Sequence, residues 1–456
     1  MSPHRSVYNL LSSVGLRLVE GIETSFRGRL FVLGVLVGIA GGLGAVAFQY
    51  LLIGVTALFF AGATSQAALL ERAVELPWYY RVLAPAIGGA IVGLIASYSG
   101  GGLVRGEGVP EVIEAIERTR GRLPLRVVPA KAVASAVCIG SGGATGREGP
   151  IVQIGGTIGA AVGNRLDLPD PQTSVLLAAG AGAGLGGTFN APIGGMIFAW
   201  EVLLGRVTRE NVPPVAIAAV VGTATANVIV GLPDPIFSVP PISIESGWEG
   251  VAYVGLGVVG AAVALAFANS LYAIEHGFER LPVPTDLKPA LGGLCLGVIA
   301  LSIPQVYGVG YPVIQDALVG GFVLEAIVAF GIAKIVATSL TLGSGGSGGI
   351  FAPTLYVGAM AGTVYGTLLD QTVPVPVADP TTYAAVGMGA VFAGASHAPL
   401  TAIVVVYELT GDVWILPPLA IACLISAVLS RRASEGSIYT IGLLERGVEV
   451  DSRRLF

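Results

Sequence analysis

The chain has 456 residues, of which 54% are hydrophobic and 12% charged, and its mean hydropathy is +0.80. Soluble domains carry roughly a quarter charged residues, so this composition excludes an ordinary soluble protein and predicts a polytopic helical membrane protein. The apolar runs are too long and continuous for an outer-membrane barrel. The net charge of −5 offers no basic face for a nucleic acid.

A short interfacial head at 1–28 precedes the apolar runs. Runs of spanning length are predicted at 29–62, 80–98, 126–145, 172–187, 211–231, 249–273, 287–306, 320–342, 383–394 and 413–430. Shorter apolar pieces lie between them, at 150–163, 191–204, 351–368 and 398–409. Short, interrupted segments in matching places indicate the substrate site of a transporter.

Basic residues flank the apolar region on both sides. The positive-inside rule therefore favours cytoplasmic termini in a plasma or inner membrane; the residues are Arg5, Arg17, Arg27, Arg29, Arg431, Arg432, Arg453 and Arg454. No cleavable signal peptide is expected, because the first apolar run begins only near Leu30. Cys138, Cys295 and Cys423 stand singly in apolar runs, which predicts no disulfide, no metal and no cofactor.

The chain repeats itself. Residues 130–159 match residues 333–362, which lie 203 positions later, and twelve of the thirty residues are identical. A second block, 180–201, matches 387–408 at an offset of 207. We predict two homologous repeats at 29–231 and 249–442, joined by a loop at 232–248 and followed by a cytoplasmic tail at 443–456. Hydropathy alone leaves open whether they are parallel or inverted.

The stretch from Gly140 to Pro150 combines a glycine run with a helix-starting proline. Glycines let the backbone turn sharply and leave its N–H groups uncovered, and proline is suited to the first turn of a helix. Helix N-termini attract anions. Because Gly343 to Pro353 repeats this pattern, the sequence predicts an anion site near the membrane midplane, between the two repeats.

Four motifs follow one another across nearly the whole chain. They are Gly106-Glu107-Gly108-Val109-Pro110-Glu111, Gly146-Arg147-Glu148-Gly149-Pro150, Gly348-Gly349-Ile350-Phe351-Ala352-Pro353 and Tyr439, with Asn190-Ala191-Pro192 leading to Glu201. On these motifs the chain resembles the CLC family of chloride channels and proton/chloride antiporters, of the prokaryotic type without a C-terminal nucleotide-sensing domain. The resemblance implies an all-α polytopic membrane protein with two inverted-topology repeats, broken and re-entrant helices, and one pore per subunit of a homodimer.

The resemblance also assigns roles. Glu148 matches the gating glutamate, whose carboxylate competes with chloride until it is protonated or displaced. An acid inside the membrane is functional by default, and the alternative is a carboxylate that stabilises a helix N-terminus. Lys131 matches a lysine that adds positive potential, whereas Lys334 is expected to pair with Glu201 or Glu408. The anion-binding positions are Glu107, Gly108, Arg147, Gly149, Ile350, Phe351 and Tyr439.

Glu107 departs from the family pattern, which has a serine at the central chloride. An ionised carboxylate 4 Å from chloride would repel it by about 4 kcal/mol at an effective dielectric of 20. Glu107 is therefore protonated, turned away, or a second competing carboxylate, and a poorly solvated site favours its neutral form. The alternative is a side chain that faces cytoplasmic water while the amides of the loop bind the anion.

Val202 is the second departure, because the proton-coupled members commonly carry a glutamate there. Valine cannot carry a proton, which favours channel-like conduction of chloride or similar small anions. The alternative is a proton/chloride antiporter that relays protons from Glu148 through Glu107 or Glu201. A more distant alternative is a membrane scaffold or a membrane-embedded enzyme. An enzyme is not expected, because His397 stands alone and no nucleophile–base pair or metal cluster is present.

Overall fold

The computed structural model describes residues 26–99, 101–119, 121–231, 235–242, 247–374 and 377–450. Most of the predicted head, part of the loop at 232–248 and the end of the predicted tail lie outside these residues. Throughout the described ranges the regular secondary structure is helical, and two single-residue bridges are the only β-type pairings. The prediction of an all-α chain is confirmed.

Eighteen α-helices make up the described part of the chain. Those of the first repeat are α1 (Phe26–Phe59), α2 (Gln66–Glu75), α3 (Trp78–Ser99), α4 (Val109–Glu117), α5 (Val127–Gly140), α6 (Glu148–Arg165), α7 (Asp170–Phe189), α8 (Pro192–Phe198) and α9 (Val212–Val230). Those that follow are α10 (Glu249–Arg280), α11 (Lys288–Ser302), α12 (Tyr311–Leu318), α13 (Leu324–Gly343), α14 (Phe351–Thr372), α15 (Pro380–Ser396), α16 (Pro399–Thr410), α17 (Leu416–Ala433) and α18 (Ile441–Glu445).

Six helical segments among the described residues are long and apolar enough to cross a membrane: Gly28–Phe59, Trp78–Ser99, Val212–Val230, Glu249–Arg280, Leu324–Gly343 and Val413–Ala433. The stretches expected to span at 126–145, 172–187, 287–306 and 383–394 are not among them. Helices α5 and α11 have only 14 and 15 residues, against about 20 for a span. Helix α5 ends at Gly140 because Gly142, with φ of +108°, turns the chain, and α11 ends just before Pro304.

Helices α6 and α7 pack with their backbones in close contact. A Cβ atom on Gly155 would collide with the carbonyl oxygen of Gly180, and one on Gly180 would collide with that of Gly155. The same reciprocal contact joins Gly358 of α14 to Gly387 of α15 in the second repeat. Small residues permit this close approach inside a membrane, and it holds the N-termini of α6 and α14 in place.

The two repeats meet at their glycine turns. The N–H of Gly146 donates to the carbonyl oxygen of Gly349 at 2.7 Å, and the N–H of Gly349 donates to that of Gly146 at 2.7 Å. These glycines are equivalent in the repeat, 203 positions apart. Because each residue returns the bond that its equivalent makes, an approximate two-fold rotation relates the repeats at this point.

Candidate functional site

Three helix N-termini surround a small cavity between the repeats. Val109 begins α4, Glu148 begins α6 and Phe351 begins α14. The turns before these helices contain Gly108, Gly142 and Gly345, each with positive φ, where a side chain would be strained. The cavity is lined by Glu107, Val109, Glu148, Gly149, Val152, Leu185, Phe198, Ile350, Phe351 and Tyr439.

The cavity is small and lies where partial positive charges converge. Its volume is about 10 Å³, which is close to the minimum for one water molecule. The three helix N-termini bring partial positive charge to it from both repeats. Five of the seven predicted anion-binding residues line it: Glu107, Gly149, Ile350, Phe351 and Tyr439.

Glu148 lies at the first residue of α6 rather than two residues before the helix, so α6 begins earlier than Pro150 suggests. Its side chain is 1% exposed. The Oε1 atom accepts a hydrogen bond from the Tyr311 hydroxyl at 2.7 Å. The Oε2 atom is buried and has no hydrogen-bond partner in the described ranges. A carboxylate therefore occupies the wall of the cavity, and one of its oxygens is not held by another side chain of the described residues.

Arg147 lies beside the cavity rather than in its wall. Its guanidinium donates to the carbonyl oxygen of Thr188 at 3.3 Å. The guanidinium carbon also lies 5.4 Å from the centre of the Tyr311 ring, within the range of a cation–π contact. Arg147 thus supplies positive charge next to Glu148 without an ion-pair contact to it.

The backbone N–H of Gly108, a predicted anion-binding residue, already has a partner within the protein. Its N–H donates to the carboxylate of Glu111 at 2.8 Å, three residues along the same chain. This bond caps the N-terminus of α4 and occupies the amide. The prediction that Gly108 binds an anion stays a prediction, and in this structure Glu111 holds the position.

Glu107 separates the cavity from a larger vestibule. The vestibule has a volume of about 370 Å³, and Glu107 and Tyr439 line both spaces. Glu107 is 8% exposed, and its Oε2 atom has no hydrogen-bond partner among the residues that the structure describes. An anion moving from the vestibule to the cavity would pass this carboxylate.

The vestibule wall is mixed in charge. It carries Arg105, Glu111, Glu275, His276, Glu279, Lys288, Glu445 and Arg446. The charge of Arg105 is shared with Asp286, to which its guanidinium donates. The Ser97 hydroxyl and the Arg105 guanidinium hold the pKa of the Asp286 carboxyl below its usual range. Within the described ranges, no three His, Cys, Asp or Glu side chains lie close enough together to hold a metal ion.

Lys131 and Lys334 occupy equivalent places in the two repeats. Both are 0% exposed. The ammonium of Lys131 donates to the carbonyl oxygens of residues 104, 105 and 106, at 3.3, 3.4 and 2.8 Å. That of Lys334 donates to the carbonyl oxygens of residues 306 and 308, at 3.0 and 2.7 Å, and lies 5.2 Å from the Tyr356 ring centre. Each lysine thus binds the loop that precedes α4 or α12.

Glu201 and Glu408 each cap a helix of the other repeat. The Glu201 carboxylate accepts from the N–H groups of Leu400 and Thr401 at 3.1 and 2.6 Å. The Glu408 carboxylate accepts from the N–H groups of residues 193 and 194 at 3.0 and 2.6 Å. Lys334 was expected to pair with one of these acids. Instead, both acids accept hydrogen bonds from helix N-termini, and Lys334 donates to carbonyl oxygens.

Tyr311 was missed by the sequence analysis, although a signal for it exists. Gly106-Glu107-Gly108-Val109-Pro110 is repeated as Gly308-Val309-Gly310-Tyr311-Pro312, 202 positions later. Both loops precede a helix and both have positive φ at their second glycine. The repeat therefore aligns Tyr311 with Val109, which lines the cavity.

The fold defines a helical membrane protein with a buried cavity between two repeats, and the comparisons with known proteins identify its family. Residues 88–431 match the family model for voltage gated chloride channels. A ClcB-like chloride channel protein of Ralstonia nicotianae is 32% identical over 90% of this chain and 95% of its own. The voltage-gated ClC-type chloride channel ClcB of Salmonella typhimurium is 30% identical over 90% and 98%.

A crystal structure of a slow cyanobacterial Cl⁻/H⁺ antiporter superposes with a TM-score of 0.80 at 26% identity, over 92% of this chain and 98% of that one. A CLC-type fluoride/proton antiporter, 24% identical, shares the fold with a TM-score of 0.76. The chain belongs to the CLC family of voltage-gated chloride channels. It is a multi-pass membrane protein with the CLC fold of two inverted repeats, and its class of activity is chloride transport.

Proposed function

We propose that the chain conducts chloride through the cavity between its repeats and that Glu148 is the gate. The observation that carries this proposal is a carboxylate with an unpartnered oxygen, buried in a cavity that three helix N-termini surround. A site built to attract an anion is here lined by an anion of the protein itself. A mobile chloride and the Glu148 carboxylate then compete for the same helix N-termini.

Protonation changes the outcome of this competition. A neutral carboxyl group no longer satisfies the positive helix ends, so chloride takes its place and the side chain moves aside. Chloride conduction is therefore expected to rise as the pH falls. Each pH unit changes the protonated fraction up to about tenfold, and the flux follows this fraction until another step limits it.

Uncoupled conduction is the first candidate because of Val202. This side chain is buried at 3% exposure and has no group that can bind a proton. The neighbouring acid, Glu201, accepts hydrogen bonds from two backbone N–H groups and from the Thr401 hydroxyl. A carboxylate held by three donors favours a structural role over proton transfer.

Proton/chloride exchange is the second candidate, and Glu107 favours it. A carboxylate with a free oxygen lies between the vestibule and the cavity that contains Glu148. A similar chain of known structure is a slow Cl⁻/H⁺ antiporter. In this candidate Glu107 passes protons between the vestibule and Glu148, and the path bypasses Val202.

The gate is tested with purified protein in liposomes, by measuring chloride efflux between about pH 4 and about pH 8. Glu148→Ala is expected to conduct at every pH and to lose the pH dependence, because the competing carboxylate is gone. Glu75→Ala is the matched control, since this acid is exposed and pairs with Arg72 away from the cavity. A chloride efflux that is equal in Glu148→Ala and wild type at every pH would refute the gate and revive the scaffold alternative.

Proton flux measured on the same liposomes separates the two candidates. An outward chloride gradient that drives protons uphill excludes the channel. Glu107→Gln is then expected to abolish the proton flux while chloride flux survives. Proton coupling that is equal in this variant and the wild type would exclude Glu107 as the relay.

We also propose that the chain works as a homodimer with one pore in each subunit, in a plasma or inner membrane with cytoplasmic termini. The support is the family to which the chain belongs and the arginines near its ends. Light scattering of the protein in detergent micelles is expected to give twice the mass of 46.1 kDa after subtraction of the detergent. A single-chain mass would refute the dimer.

A further inference from the structure

Tyr311 lies beside Glu148 although 163 residues separate them in the chain. Its hydroxyl donates to Glu148 Oε1 at 2.7 Å, a distance typical of a strong hydrogen bond to a carboxylate. We propose that Tyr311 is the latch of the gate: its hydroxyl holds the ionised Glu148 side chain in the closed position. The proposal rests on the proposed role of Glu148 and adds the group that sets how readily it leaves.

The ring of Tyr311 is fixed from two sides. The Arg147 guanidinium lies over one face, 5.4 Å from the ring centre. The Phe237 ring meets it edge-on, with centroids 5.7 Å apart and an interplanar angle of 86°. Phe237 is itself buried, and its N–H donates to the carbonyl oxygen of Leu409 at 2.9 Å. The hydroxyl is therefore positioned before Glu148 reaches it.

The backbone adds to this positioning. Tyr311 is the first residue of α12 and follows Gly310, whose φ is +92°. Pro312 then fixes the first turn of the helix. The carbonyl oxygens of residues 306 and 308, in the preceding loop, accept hydrogen bonds from Lys334. Tyr311 thus stands on a frame of backbone hydrogen bonds, whereas one carboxylate oxygen of Glu148 has no hydrogen-bond partner among the described residues.

A tyrosine hydroxyl that donates to a carboxylate stabilises the ionised form more than the neutral one. The other charged or titratable groups around Glu148 are Arg147 next to it, Lys334 behind Tyr356, and Glu107 and Tyr439 across the cavity. The two cations also favour the ionised gate, and Glu107 opposes it when charged. Among these groups Tyr311 forms the direct hydrogen bond to the Glu148 carboxylate.

Tyr311→Phe removes the hydroxyl and keeps the ring between Arg147 and Phe237. In the liposome assay, the pH midpoint of chloride efflux is expected to rise by about one unit, since a hydrogen bond to a charged group corresponds to roughly a tenfold change in the equilibrium. A role in packing alone would change the amplitude of the flux without moving its midpoint. An unmoved midpoint in Tyr311→Phe overturns the latch.

Tyr365→Phe is the matched control. Its hydroxyl is also lost from inside the protein, where it donates to the carbonyl oxygen of Ala252 at 2.7 Å, away from the cavity. The control midpoint is expected to equal that of the wild type. A midpoint that moves equally in both variants overturns the latch, because the shift is then a general effect of losing a hydroxyl from inside the protein.

Glu148→Gln separates failure of the latch from failure of the gate. If this variant loses the pH dependence while Tyr311→Phe keeps the wild-type midpoint, the gate stands and the latch is refuted. If the pH dependence survives in Glu148→Gln, both are refuted. The double variant is expected to behave as Glu148→Gln alone, because without the ionised carboxylate the hydroxyl has nothing to hold.

Chloride binding measured by calorimetry at neutral pH gives a second readout that does not depend on conduction. A weaker internal competitor lets chloride bind more tightly, so Tyr311→Phe is expected to lower the chloride Kd several-fold, up to roughly tenfold. In the Glu148→Gln background the same substitution is expected to leave the Kd unchanged. An equal gain in both backgrounds would contradict the latch.

Discussion

The two repeats share a backbone frame and differ in the side chains that it carries to the cavity. Both have a glycine turn before a helix, a buried lysine that binds carbonyl oxygens, and a glutamate that caps a helix of the other repeat. At three equivalent positions, however, the residues differ: Glu107 corresponds to Val309, Val109 to Tyr311, and Glu148 to Phe351.

In the proposed mechanism, the features that the repeats share attract the anion, and the side chains that differ regulate its binding. The helix N-termini that attract an anion come from both repeats, because they depend on the backbone. Both acids that can compete with the anion, Glu107 and Glu148, come from the first repeat. The second repeat contributes Tyr311, whose hydroxyl bonds to one of them, and an aromatic wall at Phe351. In the proposed mechanism, one repeat carries the gating carboxylate and the other carries the hydroxyl that bonds to it.

The buried lysines test whether the shared frame is equally important in both repeats. Lys131→Met is expected to lower the free energy of unfolding by about 3 kcal/mol or more, because three buried carbonyl oxygens lose a charged donor. Lys334→Met is expected to cost less, since it serves two. Denaturant titration in detergent micelles measures both values.

Lys288→Met is the control for this comparison. This third lysine donates to the carbonyl oxygen of Glu279 at an exposed site, so its loss is expected to stay within about 0.5 kcal/mol. A larger cost for Lys334 than for Lys131 would mean that the cation–π contact with Tyr356 outweighs the additional carbonyl contact.

Glu107→Val gives the first repeat the residue of the second. Chloride is expected to bind about tenfold more tightly, or about 1.4 kcal/mol, because a carboxylate no longer faces the ion path. Calorimetric titration of chloride checks this, with Glu279→Gln on the vestibule wall as a control whose affinity stays at the wild-type value. Unchanged binding by Glu107→Val would mean that Glu107 is neutral or turned away when chloride binds.

Loss of the helix caps Glu201 and Glu408 is expected to have the smallest effect on the free energy of unfolding, and a similar effect in both repeats. Glu201→Gln and Glu408→Gln are each expected to lower the free energy of unfolding by about 1 kcal/mol, since each removes a charge from a helix N-terminus. Thermal unfolding in detergent ranks them, with the exposed Glu75→Gln as control.

Measuring proton flux in the same two variants tests whether either acid transfers protons. If Glu201 is only a cap, the two variants carry the proton flux of the wild type. Loss of proton flux in Glu201→Gln alone would make Glu201 a relay and would favour exchange over conduction. The pair thus distinguishes a structural acid from a transporting one at equivalent positions.

The sequence by itself determined the class of protein and its repeats, and it named Glu148 and five other residues that line the cavity. The composition predicted a membrane protein, and four motifs identified the family. The spacing of glycine and proline located the N-termini of α6 and α14 to within two residues of Glu148 and Phe351. These properties depend on neighbouring residues or on a repeat at a fixed offset, so they can be recognised from the sequence without a structure. Even the length of α5 follows from its glycine turn, although the hydrophobic run suggested a longer span.

Only the tertiary structure decided which side chains meet. The Tyr311 hydroxyl reaches Glu148 across 163 residues, and Glu201 reaches the N-terminus of α16 across about 200. Hydrophobic periodicity indicates that a residue is buried but not which partner it faces. Hydrogen bonds depend on positions within a few tenths of an ångström, and the packing of glycine against glycine between helices fixes those positions. The proposed gate, Glu148, could therefore be named from the sequence, and its hydrogen-bond partner Tyr311 could not.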